Sequence, residues 1–104
     1  MAATFVALYT KPEDAEGFLK EYREDHVPIA ETWPKVTSTS TTVLTGTPRG
    51  TDPAYYVMFK ATWDSMADMQ EAMQDPSLME ASKHAMGMLQ KYGNTAEMMV
   101  GEDD

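Results

Sequence analysis

From Thr4 to Tyr9 the chain reads Thr-Phe-Val-Ala-Leu-Tyr and is apolar at both parities, with Phe5, Ala7 and Tyr9 on one side of an extended strand and Val6 and Leu8 on the other. That pattern predicts a central strand covered on both faces. After Lys11-Pro12 the period changes. Ala15, Phe18, Leu19 and Tyr22 recur at helical spacing, and Pro12, Glu13, Asp14 and Glu16 suit a first turn near the positive end of the helix dipole. His26 continues the apolar stripe four residues after Tyr22, while Glu24 and Asp25 point elsewhere. Pro28 removes a donor and disfavours helix at Val27, so the helix is expected to break or restart there.

Val36 to Thr45 is rich in Thr, Ser and Val, which suits a polar edge strand. Gly46 to Pro53 is dense in breakers and predicts the loop of a long hairpin. Tyr55 to Trp63 is the strongest strand pattern, with Tyr55, Val57, Phe59, Ala61 and Trp63 on one face and Tyr56, Met58, Lys60 and Thr62 on the other. Asp64-Ser65 then caps a helix carrying Met66, Met69, Ala72 and Met73. Asp75-Pro76 opens another, with Leu78, Met79, Ser82, Met86 and Leu89 as its expected inner side, stopped by Tyr92-Gly93-Asn94. Thr95 to Val100 predicts a last strand and Gly101 to Asp104 a solvated acidic tail.

Strand, helix, strand, strand, helix, strand is the βαββαβ order of an α+β ferredoxin-like fold: a four-stranded antiparallel sheet with helices on one face. The other face would expose apolar side chains of two central strands. Pairing sheet to sheet in a two-fold homodimer covers it, so the pattern predicts a dimeric α/β barrel. Residues 1–104 are expected to form a single domain, without repeat or linker.

Eight Lys and Arg against 17 Asp and Glu give a formal charge of -9, which argues against nucleic acid and anionic membrane surfaces as partners. The absence of cysteine excludes disulfides, thiolate nucleophiles and thiolate metal sites. With no basic leader and no apolar run of membrane-spanning length, a cytoplasmic location is the default expectation. Phosphate loops, dinucleotide fingerprints and nucleophile elbows are missing as well.

Several motifs together resemble the EthD family of dimeric α/β-barrel proteins: Tyr22-x-x-x-His26-x-Pro28, then Pro34, Tyr55-Tyr56 opening the third strand, Asp64-Ser65 and Asp75-Pro76. The likeness spans nearly the whole chain and departs from it at Pro34-Lys35-Val36, where many relatives have glycine after the proline. It implies the barrel fold, a homodimer and an oxidoreductase-associated setting without one general reaction. Similar barrels bind small, mostly apolar molecules between sheet and helices, and by that likeness His26 is the candidate acid or base.

A neutral imidazole can take a proton from a carbon acid or phenol and return it, and burial keeps it neutral. Tyr22, one turn away, is placed to orient it. Tyr9, Tyr55 and Trp33 are the candidate substrate contacts, the first two through hydroxyls near strand ends and the last at a pocket mouth. Each has a plainer reading beside it: a lone histidine on an apolar helical face is commonly a satisfied core residue, strand tyrosines are commonly core or dimer contacts, and Trp33 can simply pack its loop. Nine of the ten methionines fall at or after Met58, where filling irregular core gaps is their commonest use and an adaptable pocket lining the alternative. His84 is expected to be solvated, off its helix stripe. Two histidines without paired carboxylates predict no metal site, and nothing supports haem or another cofactor. The leading expectation is a small cofactor-independent enzyme acting on an apolar or aromatic compound. The alternatives are a non-catalytic dimeric binding protein and an accessory subunit of an oxygenase system.

Overall fold

The computed structural model describes residues 1–104. In chain order the elements are β1 (Ala3–Tyr9), α1 (Ala15–Glu21), a π-helical turn (Tyr22–His26), α2 (Val27–Ala30), β2 (Ser38–Val43), β3 (Val57–Trp63), α3 (Met66–Ala72), α4 (Pro76–Tyr92) and β4 (Ala96–Glu102). The strands form one antiparallel sheet in the order β2-β3-β1-β4, which puts the two apolar strands β1 and β3 in the middle, as expected. This is the ferredoxin-like α+β arrangement.

Register decides which face is covered. Ala3, Phe5, Ala7 and Tyr9 pair with Trp63, Ala61, Phe59 and Val57, and all but the half-buried Phe5 are buried beneath the helices. On the other face β1 and β3 present Thr4, Val6, Leu8, Met58, Lys60 and Thr62, flanked by Ser38, Ser40 and Thr42 of β2 and by Glu97 and Met99 of β4. That face is therefore mixed: Val6, Leu8, Met58 and Met99 make an apolar centre within a polar surround.

Helix boundaries follow their caps. The Asp14 carboxylate accepts from Gly17 N–H at 3.0 Å, and a Cβ on residue 17 would collide with that carboxylate. Ser65 and Asp75 accept from Asp68 and Ser77, with Pro76 in the first turn of α4. Gly93 ends α4 at φ 69°, a left-handed cap that costs a glycine little.

Where the structure departs from the sequence expectations, packing explains it. The inner side of α4 is Leu78, Ala81, Ala85 and Met88, whereas Met79 and Met86 are 64% and 61% exposed. Alanines let the helix lie close to the layer below, so small residues occupy the inside and the larger methionines are displaced outward. The tail is not wholly solvated: Gly101 and Glu102 pair with Thr4 and Ala3, and Asp103 N–H donates to Ala2 O at 2.8 Å. β2 and β3 are shorter than predicted, since Val36 and Tyr55 lie outside the ladder.

At Pro28 the helix restarts rather than breaking off. The chain changes pitch instead: Val27 N–H donates to Tyr22 O in the wide i→i−5 pattern, and helix resumes through Pro28. Phe18, Tyr22, His26 and Ala30 are all buried and recur every four residues. On a straight 3.6-residue helix that stripe would drift about 40° per step, and the wider π-turn takes up the drift. Lys35 is the single non-glycine residue with positive φ, at 59°, so the turn after Pro34 keeps a left-handed geometry without glycine. Its ammonium reaches Glu71 at 2.8 Å and Asp68 at 3.5 Å.

Candidate functional site

Between the covered face of the sheet and α4 lies a cavity of about 240 Å³. Phe5, Tyr9, Phe59 and Met98 come from the strands, Met73 and Leu78 from the α3–α4 region, and Ala81, Ser82 and Ala85 from α4, with His26 and Trp33 completing the wall. Nine of these eleven residues are hydrophobic, which suits an apolar guest held by a few polar atoms.

His26 is 4% exposed and comes to this wall from the π-helical turn. Its ring lies 4.9 Å from that of Tyr22, tilted by 33°. The Tyr22 hydroxyl meets Tyr9 at 3.5 Å, away from the imidazole, and burial raises the pKa of both phenols and keeps them protonated. Burial, reinforced by His84, pushes His26 down to about 4, so the ring is neutral at pH 7.

His84 corrects a sequence expectation. It is half-buried, and its Nδ1 is 3.0 Å from His26 Nδ1, with the rings 5.2 Å apart and 21° from parallel. The reason is the inner side of α4: His84 follows Ala81 by three positions and precedes Met88 by four, so it borders the buried stripe. Glu21 fixes that helix end, accepting from Lys91 at 2.7 Å and Tyr92 at 3.0 Å, which draws α4 against the end of α1. The Lys91 ammonium beside it holds the Glu21 carboxyl below its usual value.

Trp33 is 5% exposed and stacks on Trp63 at 6.0 Å and 11°, with Phe5 and Phe59 nearly perpendicular to it. Tyr9 lies on the cavity wall as well. Tyr55 does not: it sits beside a separate surface cleft with Lys11, Asp52 and Tyr56, and its hydroxyl donates to Glu97. The structure thus brings His26, Tyr9 and Trp33 to one cavity, with Tyr22 behind, and puts Tyr55 elsewhere. Met69 and Met88 fill the core, while Met73 and Met98 line the cavity. No group of three or more His, Cys, Asp or Glu residues converges as a metal site would require, and no helix is long and apolar enough to cross a membrane.

The EthD domain matches residues 10–91, which include both histidines and Trp33. The chain belongs to the EthD family. Among solved structures this EthD domain is similar to an ethyl tert-butyl ether D (EthD) family protein from Bacillus halodurans, at 28% identity, TM-score 0.88 and full coverage of both chains. It is also similar in fold to SnoaB, a cofactor-independent oxygenase from Streptomyces nogalater (14% identity, TM-score 0.66, 99% and 93% coverage). A dimeric ferredoxin-like protein of unknown function from Thermobifida fusca resembles it at 10% identity and TM-score 0.69, with 99% and 92% coverage. No curated protein matches the EthD domain.

Proposed function

We propose that this EthD domain is a cofactor-independent acid–base catalyst for a small, largely apolar ring compound bound between the sheet and α4. The observation that carries the reading is a neutral histidine on an otherwise apolar cavity wall, its Nδ1 engaged by a second histidine. With Nδ1 occupied, Nε2 is the ring nitrogen left for a guest. When His26 donates its Nδ1 proton to His84, Nε2 is a base. On accepting a substrate proton there, His26 can pass the Nδ1 proton to His84 Nδ1, and half-exposed His84 can release its own Nε2 proton to water. The reverse sequence returns a proton to the substrate, so the pair serves as acid and as base.

1-Tetralone, whose α-hydrogens are those of a carbon acid, tests this. In D₂O the protein is expected to exchange those hydrogens, followed by NMR, and His26→Gln is expected to lower the rate by about a hundredfold or more, the usual scale of a general base. Tetralone bound without exchange would turn the reading to a carrier that uses His26 as an anchor.

The likeness in fold to dimeric relatives, with the apolar centre and polar surround of the free sheet face, supports a homodimer joined sheet to sheet. Leu8→Glu puts two like charges near that centre and is expected to convert a dimer to a monomer in light scattering. A monomeric wild-type protein at micromolar concentration would refute the dimer.

A further inference from the structure

The cavity is not closed. Two of its lining residues, Ser82 of α4 and Met98 of β4, are exposed, so it reaches the surface between that helix and the edge strand of the sheet. Beside Ser82 lies a surface depression of about 270 Å³, which shares Met73, Leu78 and Ser82 with the cavity wall and is completed by Met79, Lys83 and Met86. Helical spacing explains the placement: Met79, Ser82 and Met86 recur at steps of three and four and occupy one flank of α4, next to its inner stripe. Met79, Met86 and Met98 are 64%, 61% and 48% exposed, and they make up half of the six large apolar side chains left in water. Single exposed apolar residues are ordinary, but several around one opening mark a surface that binds. A sheet-to-sheet homodimer leaves them uncovered, because α4 and the Met98 side chain lie on the opposite face of the sheet.

We propose that this flank of α4 is a second subsite, which takes an alkyl chain carried by the ring in the cavity, and that the ligand class is alkyl-substituted ring compounds. The inference rests on the reading of the cavity as the ligand site and extends that site past its opening. Volume sets the division. A cavity of roughly 150 Å³ accepts benzene, so one of about 240 Å³ is filled by a ring with small substituents, and a chain of several carbons has to leave through the opening. Past Ser82 it meets methionines, whose unbranched, flexible side chains adapt to chains of different shape. Lys83 is the one charged residue lining the depression, and its stem lies along apolar surface while the ammonium stays in water.

The test uses a matched pair of probes, 4-ethylphenol and 4-hexylphenol, titrated into protein labelled with ¹³C at the methionine methyls. The hexyl compound is expected to bind at least about tenfold more tightly, a modest share of what burying the added methylenes yields. The methyls of Met73 and Met98 should shift with both probes, and those of Met79 and Met86 with 4-hexylphenol alone. Met99, on the opposite face of the sheet, should stay in place. The double variant Met79→Ser/Met86→Ser changes two exposed positions and should bring the two affinities within about threefold of each other. A hexyl preference that is absent from the wild type or survives in the double variant, or a Met99 shift as large as those of Met79 and Met86, would overturn the subsite and leave the cavity reading standing. Shifts of Met79 and Met86 that follow protein concentration without a probe would give the flank to a second copy of the chain and overturn the subsite as well. If neither probe moved Met73 or Met98, the cavity reading would fall and this inference with it.

Discussion

Acidification from pH 7 to pH 4 is expected to remove on the order of 3 kcal/mol of folding stability through His26 alone. The folded ring is held near 4 by burial, whereas the unfolded histidine titrates near ~6.5. Between those values the unfolded chain binds a proton that the folded one does not, so stability falls as the pH falls through the window and levels off below it. The groups around His26 do not reverse the sign. Half-buried His84 faces it, Glu24 and Asp25 of the same turn are exposed, and Glu21, with Lys91 and Tyr92, belongs to the clamp on the neighbouring helix end. Urea unfolding of wild type and His26→Leu at both pH values isolates the term, because the carboxylates titrate in both proteins. The variant should lose about 3 kcal/mol less on acidification, and at pH 7 it should lie within about 1 kcal/mol of wild type, since leucine suits an apolar wall. Equal losses in the two proteins would mean that His26 is not held neutral by burial.

Trp63→Ala is expected to cost about 3 to 5 kcal/mol, a large share of the roughly 5 to 15 kcal/mol that holds a small domain together. Three contributions go at once: a fully buried ring, its stack on Trp33 and its hydrogen bond to Pro34 O. At about 4 °C or more per kcal/mol, the thermal midpoint should drop by at least about 12 °C. Trp63→Phe retains a ring under Trp33 and should cost clearly less, through the unpaired carbonyl of Pro34. A loss below about 1 kcal/mol for the alanine variant would show that the packing beneath the cavity does not depend on this side chain.

Much of the fold was legible because β1 is largely apolar at both parities and β3 at one, and because Ser65, Asp75 and Gly93 mark helix ends with side-chain or backbone chemistry that tolerates few alternatives. The inner side of α4 was not legible: it turns on Ala81 and Ala85, whose contribution is closeness of approach, and hydropathy gives the exposed Met79 and Met86 more weight. His26, Tyr9 and Trp33 could be proposed from spacing, since each lies on an apolar face near an element end. His84 could not, because its partner is 58 positions away in sequence and only the crossing of α4 over the π-turn brings them together. A signal for that turn was present in the four-residue recurrence of Phe18, Tyr22, His26 and Ala30, which an ideal helix cannot hold on one face. Tyr55 lies away from the cavity for a related reason: as β3 starts only at Val57, the alternation that placed it with Phe59 does not extend back to it.

The stacked indoles also bear on how the molecule can be watched. Two near-parallel indoles with centroids 6.0 Å apart are close enough to couple their excited states, and an exciton signal in circular dichroism is expected. One member of the pair lines the cavity and the other lies behind it, so a guest that turns or polarises the Trp33 ring changes the coupling. Binding of the proposed guest is therefore expected to register in the protein's own optical spectrum, without a label or a coloured substrate.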